Sequence, residues 1–371
     1  MSDARPLGEF GVRTWADEVS EAFQVSLADG IRESNRRVLA MPEGERPESI
    51  DILALSGGAD DGAYGAGLLC GWSENGDRPV FRLVTGISTG ALIAPLAFLG
   101  SEYDDILRKA YTTIDQEDVA STRSLLDAVF SDGFADTDPL GDLIQQWITP
   151  DVLEAVARGH EEGRRLFVQT VNLEAQRGVI WDLGAIAASR HPRAADLFRQ
   201  IMLASASVPA AFEPQYVSVT VDGEDYEEMH VDGGAVSQVF LWGFGISMGD
   251  LISRAGVGLP PVPLNLWVIR NGRMYPEYQE MQGELLSITG RAVSTMIKAQ
   301  GLSDVSRIKL VAESNNMNYH LTSISEDFTE TTEGLFEKSY MNSLFDFGYA
   351  RARGGDAWVD TPPLLNELLG R

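Results

Sequence analysis

The stretch Leu53-Ala54-Leu55-Ser56-Gly57-Gly58-Ala59-Asp60-Asp61-Gly62-Ala63-Tyr64-Gly65-Ala66-Gly67, read with Leu83-Val84-Thr85-Gly86-Ile87-Ser88-Thr89-Gly90-Ala91, decides the fold. Each half runs from β-favouring apolar residues through a glycine-dense turn into small apolar residues suited to a helix start. Two strand-turn-helix units in succession predict a βαβ arrangement, and hence an α/β fold with largely parallel strands covered by helices. In the second unit Ser88 is the centre of Gly86-Ile87-Ser88-Thr89-Gly90, a G-x-S-x-G elbow. Its two glycines let the strand fold sharply into the helix and leave the serine Oγ exposed beside free helix N–H groups. In the first unit Gly57-Gly58 brings bare backbone N–H groups close to a ligand, as an oxyanion hole requires.

Around these units the sequence reads as follows. Residues 9–40 form an amphipathic leading helix carrying Trp15, Val19, Phe23, Val25 and Leu27, and 41–48 a polar linker into the first strand, Ile50–Leu55. A buried helix (62–72) and a second strand (80–84) follow, then a helical insertion over 102–163. Residues 166–173 and 178–183 are paired strands, 196–206 is a helix, and 212–221, 226–231 and 264–269 are further strands. The 280–312 region is helical with a break near Gly301, and 340–353 is a closing helix packing Leu344, Phe345 and Tyr349. The domain reading is a leader over 1–48 and one α/β hydrolase domain over 49–371, with the motif-bearing core at about 50–240 and a helical completion at 241–371. Residues 239–244 read either as a wall of an acyl pocket or as a buried strand or helix start.

Composition narrows the function. A formal net charge of −26 over 371 residues opposes nucleic-acid binding, and it opposes docking to anionic lipid through a basic patch, while leaving transient contact through a local apolar surface open. The single cysteine, Cys70, forms no intrachain disulfide and reads as a buried apolar side chain. No signal peptide, membrane span or metal-ligand cluster is legible, so a cytoplasmic protein without cofactor is expected, with its oligomeric state open.

A serine becomes a nucleophile only when a base takes its proton. His160, His191, His230 and His320 all lack a catalytic context. The other base in the sequence is Asp232, which ends a strand in Asp232-Gly233-Gly234, although Asp-Gly is also an ordinary turn dipeptide. Taken together, Gly57-Gly58-x-x-x-Gly62, Gly86-x-Ser88-x-Gly90, Asp232-Gly233-Gly234 and the segment Ala204–Pro214 resemble the patatin-like phospholipases, in that family's order. The resemblance covers about 50–240. It implies a three-layer α/β/α fold and a Ser-Asp dyad without histidine that cleaves phospholipid or other acyl esters through an acyl-enzyme. By position it makes Ser88 the nucleophile, Asp232 the proton acceptor, and the N–H groups of Gly57, Gly58 and Ala59 the oxyanion donors.

Two positions depart from the family pattern: Ala59 stands where a third glycine is usual, and Asp61 where Arg or Lys is usual. Asp60 and Asp61 are expected to face outward and stabilise the following helix end. Three other readings stay open: a patatin-fold binding or regulatory protein with little catalysis, a classical Ser-His-Asp esterase using His320, and a dinucleotide fingerprint in Gly62-x-x-Gly65-x-Gly67.

Overall fold

Alternate residues of β2 (Ile50–Leu55) point to opposite sides of the sheet, and both sides are apolar. Leu53 and Leu55 join one core, Ile52 and Ala54 the other. A strand apolar on both faces must be covered twice, which produces a three-layer α/β/α arrangement. The computed structural model describes residues 4–8, 11–18, 20–119, 137–209, 211–242, 246–281, 283–332, 334–363 and 365.

The other strands are β1 (Arg13–Trp15), β3 (Leu83–Gly86), β4 (Arg165–Asn172), β5 (Arg177–Asp182), β6 (Gln215–Val221), β7 (Glu224–Asp232), β8 (Leu264–Arg273) and β9 (Asn318–Ile324). They form one sheet in the order β1-β5-β4-β3-β2-β8-β9, with β7 paired to β4 and β6 to β7. The central run β4-β3-β2-β8-β9 is parallel, while β1, β5, β6 and β7 pair antiparallel. The parallel strands therefore end together on one side, and β7 brings its last residue to the same side through its pairing with the end of β4.

One face is covered by α1 (Glu21–Ala40) and the helix Leu285–Ser314, whose Phe23, Leu27, Val305 and Ile308 share a core with Ile52 and Leu266. The other is covered by α2 (Gly62–Asn75), α3 (Thr89–Leu99) and the closing helix Lys338–Gly354. α2 lies almost in backbone contact with the closing helix. A Cβ at Gly67 would sit 2.0 Å from the Phe345 carbonyl oxygen and one at Gly71 2.4 Å from that of Tyr349. The α2 glycines thus serve helix packing, and a Cβ at Gly65 would sit 2.4 Å from Asn271 Oδ1. That use leaves no open cradle for a pyrophosphate, against the dinucleotide reading. At the opposite end of α2, Trp72, Trp267 and Trp358 cluster with ring centroids 4.7–5.1 Å apart, and His320 stacks on Trp267 at 3.9 Å.

Several expectations need correction. The leading helix starts at Glu21, where Ser20 Oγ accepts from the Phe23 N–H. Upstream, Arg13–Trp15 forms an edge strand, because Trp15 is buried and Arg13 is paired with Glu228 of β7. Val19 lies outside the described residues. Gly301 does not break its helix, which runs unbroken from Leu285 to Ser314. Val239, Phe240 and Leu241 are buried without regular secondary structure, and Trp242 lines a cavity beneath α1 with Leu27, Ile31 and Leu251, a cavity that Ser88 does not line. Of the two readings of this stretch, the buried one describes Val239, Phe240 and Leu241, though they form neither strand nor helix; Gly243 and Phe244 lie outside the described residues. The insertion is helical over Asp104–Thr112, Gln116–Val119, Asp138–Trp147 and Pro150–Glu161, with 120–136 outside the described residues. No described helix is long and apolar enough to cross a membrane.

Candidate active site

Ser88 follows β3 and opens α3 at φ 55° and ψ −127°. A non-glycine residue held there costs about 1–3 kcal/mol, so the surroundings must over-determine it. They do so by close approach: a Cβ at Gly86 would lie 2.3 Å from the Gly90 carbonyl oxygen, and one at Gly90 2.5 Å from that of Leu55. Gly62 admits the elbow from the other side, since a Cβ there would lie 2.1 Å from Thr89 Oγ1. The Ser88 N–H donates to Ser205 Oγ at 3.0 Å, and Ser205 Oγ donates to the Gln169 carbonyl at 2.8 Å.

Asp232 is the last residue of β7, opposite Thr170 of β4. Its N–H donates to the Ser207 carbonyl at 2.9 Å, and its Oδ1 accepts from the Gly234 N–H at 2.6 Å. The segment around Ser205 and Ser207 therefore fixes both Ser88 and Asp232, two residues 144 positions apart in sequence. A Cβ at Gly233 would lie 2.4 Å from the Gln169 carbonyl oxygen, so the Asp-Gly-Gly turn packs tightly against β4. Burial pushes the Asp232 carboxyl up to about 7, against the pull of the Ser88 hydroxyl and the Gly234 N–H. The Ser88 hydroxyl is close enough to favour the ionised carboxylate, yet Oδ2 has no donor in full hydrogen-bonding geometry among the described residues. Ser88 and Asp232 thus face each other with the contact not closed, a looseness common before substrate binds.

Gly57 abuts the serine: a Cβ there would lie 3.2 Å from Ser88 Cβ. Its N–H donates to the Gln238 carbonyl at 3.0 Å, so Gly57 is not a free oxyanion donor, contrary to expectation. The N–H groups of Gly58 and Ala59 have no acceptor among the described residues. Gly58 must be glycine because a Cβ would strike the Asn271 carbonyl oxygen at 2.0 Å. Ala59 adopts φ 50°, so the glycine-favouring conformation is kept without the glycine.

Asp60 and Asp61 do not face outward. Asp60 is buried and accepts from the Phe336 N–H at 3.2 Å; burial and then Asp61 push its carboxyl up to about 6. Asp61 accepts from the Tyr340 hydroxyl at 2.6 Å, with Arg273 and Arg270 as its counter-charges. The Asp61 side chain, at the N-cap, makes no capping hydrogen bond to α2. Both acids are instead drawn toward the C-terminal part of the chain.

None of the histidines hydrogen-bonds to Ser88 or Asp232 among the described residues. His230 is buried between Thr170 and Glu228, at 2.8 and 3.2 Å, and burial lowers its pKa. His160 lies 3.5 Å from Asp182, His191 Nδ1 accepts from the Arg193 N–H, and His320 is stacked on Trp267. No group of metal-ligating side chains occurs among the described residues. Gln238, Arg270 and Asn271 lie outside the motifs legible in the sequence, and Ser205 is marked only as part of the segment Ala204–Pro214. The one signal available for Arg270 and Asn271 was the polar run Arg270-Asn271-Gly272-Arg273 at the tip of an apolar strand.

Comparison with known proteins adds the following. The family profile described as patatin-like phospholipase matches residues 53–244. Among solved structures, VipD from Legionella pneumophila is similar at 12% identity and a TM-score of 0.35, over 85% of this chain and 69% of VipD. The type III effector protein ExoU is similar at 14% identity and a TM-score of 0.21, over 88% of this chain and 57% of ExoU. No curated protein sequence matches the chain.

Proposed function

The chain belongs to the patatin-like phospholipase family, and from that premise we propose that it is a serine acyl hydrolase that cleaves lipid esters with Ser88 as nucleophile and Asp232 as base. The observation that carries this reading is the buried Asp232 carboxylate facing a serine held at φ 55° in an elbow whose backbone admits no other shape. As Ser88 Oγ bonds to the ester carbonyl carbon, its proton passes to Asp232 Oδ2 and the carbonyl electron pair moves onto oxygen. The N–H groups of Gly58 and Ala59 are the unoccupied donors available to that oxyanion. Collapse breaks the bond to the leaving alkoxide, which takes the proton from Asp232. Water, deprotonated by the same carboxylate, then releases the fatty acid and restores Ser88. Each step balances with ester and water alone, so the cycle runs without a cofactor.

Contact with a lipid surface is supported by the helix Leu285–Ser314. Its first half exposes Leu285, Ile288, Val293 and Met296, and its first fifteen residues carry Arg291 and Lys298 but no acid. Further along it meets Gln238, the residue whose carbonyl holds the Gly57 N–H, where Gln300 Oε1 accepts from Gln238 Nε2 at 3.0 Å. An exposed apolar stretch that itself carries no acid suits a zwitterionic lipid surface.

A hydrolysis screen across phospholipids, lysophospholipids and short p-nitrophenyl esters, run beside Ser88→Ala and Asp232→Asn, tests the assignment. Turnover that falls at least about 10³-fold in both variants is expected. The second reading, a binding protein that has lost catalysis, is favoured by the inward-turned Asp60 and Asp61 beside the glycine loop. Failure of the folded protein to react at Ser88 with a fluorophosphonate would establish that reading instead.

A further inference from the structure

Arg270, at the end of β8, is 5% exposed, and no carboxylate lies within ion-pair distance of it among the described residues. Asp61 and Asp304 act on it from further away, and burial lowers its pKa. Burying a guanidinium without a direct counter-ion is costly, so its hydrogen bonds must matter. Its Nη1 donates to the Gly57 carbonyl at 2.6 Å, to Ser56 Oγ at 3.0 Å and to the Asn271 carbonyl at 3.0 Å. Ser56 Oγ donates to the same Gly57 carbonyl at 2.7 Å. The other side of Gly57 is fixed as well, because its N–H is held by Gln238, whose own N–H is held by Asp304 Oδ2 at 2.6 Å. Room for the guanidinium comes from two glycines: a Cβ at Gly301 would lie 3.0 Å from Arg270 Nε, and one at Gly272 3.2 Å from its Cζ.

A trans peptide is planar, so a carbonyl held on one side points the following N–H the opposite way. The peptide in question joins Gly57, which abuts Ser88, to Gly58, whose N–H has no acceptor among the described residues. A cation on the carbonyl also polarises the amide and strengthens its N–H as a donor. We propose that Arg270 is a positioning residue for the Ser88 reaction: by holding the Gly57 carbonyl it orients and polarises the Gly57–Gly58 peptide so that the Gly58 N–H meets the developing oxyanion. The inference rests on the hydrolase reading above and adds to it a residue more than 180 positions from the serine.

The test uses the full chain with a short p-nitrophenyl ester and the variants Arg270→Gln, Arg270→Lys and Gly301→Ala. Arg270→Gln is expected to lower kcat by about 10–10²-fold with KM within about threefold, since a misdirected oxyanion donor weakens only the transition state. Arg270→Lys, which keeps a charge and one donor, is expected to fall between. Gly301→Ala keeps the charge but pushes the guanidinium, and is expected to lower kcat severalfold without loss of thermal stability. An alkyl trifluoromethyl ketone, which Ser88 Oγ attacks to form a hemiketal oxyanion, should lose affinity in step with kcat, whereas the matching alkyl ether should not. Unchanged kcat or ketone affinity in folded Arg270→Gln would overturn the proposal. If that variant does not fold, unchanged kcat in both Arg270→Lys and Gly301→Ala would do so. A wild-type protein that neither hydrolyses ester nor reacts with fluorophosphonate would remove the hydrolase reading itself, and this inference with it.

Discussion

Asp232 carries the clearest consequence at the scale of single residues. Its carboxyl holds its proton up to about pH 7, and a base must be ionised to work. The acid limb of kcat/KM for a soluble ester should therefore lie near pH 7, and a limb near pH 4 would mean that the base titrates as an ordinary carboxylate, without the shift that burial gives Asp232. The same displacement has a stability sign. The folded-state pKa lies above the ordinary carboxyl value of 3.8, so the contribution is full below that value and is lost as pH rises to about 7. A rise of that size corresponds to about 4 kcal/mol as an upper bound. Asp232→Asn should accordingly melt higher than wild type at pH 8, with the difference vanishing near pH 4, while losing activity. Ala59 offers a second test, since a left-handed non-glycine residue costs about 1–2 kcal/mol. Ala59→Gly should stabilise the fold by up to about 1 kcal/mol after the added unfolded-state entropy, as read by urea unfolding.

Among the elements, two helices behave in opposite ways. α2 is committed to its neighbour: Gly67→Ala would drive a methyl into the Phe345 carbonyl, and a loss of about 3 kcal/mol or more is expected in denaturant melts. The first half of the helix Leu285–Ser314 is held to the 275–279 segment by Arg291 and Lys298, while its Leu285, Ile288, Val293 and Met296 stay exposed. Leu285→Ser combined with Met296→Ser should lower the ratio of phosphatidylcholine-vesicle hydrolysis to soluble-ester hydrolysis severalfold. An unchanged ratio would remove this helix from the lipid contact. What the sequence discloses divides along the same line. Ser88, Gly86 and Gly90 are legible because the elbow's constraint is local, a sharp turn that needs small residues a fixed distance from the serine. β1 is not legible, because three residues carry little periodicity and Arg13–Trp15 becomes a strand only through β5 and Glu228. The orientation of Asp60 and Asp61 is set by Phe336 and Tyr340, more than 270 positions away. The engagement of the Gly57 N–H by Gln238 is equally remote, and no reading of the glycine run alone foresees it.

For the whole molecule, a net charge of −26 implies self-repulsion that salt relieves, so the melting temperature should rise as NaCl increases from about 10 to 150 mM. A melt insensitive to salt would mean that the acids are already locally balanced, as Glu33 is by Arg36 and Arg37. The cluster of Trp72, Trp267 and Trp358 joins three distant parts of the chain: a helix behind the glycine loop, a central strand and the segment beyond the closing helix. Indoles this near one another couple their excited states, so the protein carries an optical gauge of its own assembly. An exciton signature in the aromatic circular dichroism should report, without any label, whether the last part of the polypeptide is seated against the sheet.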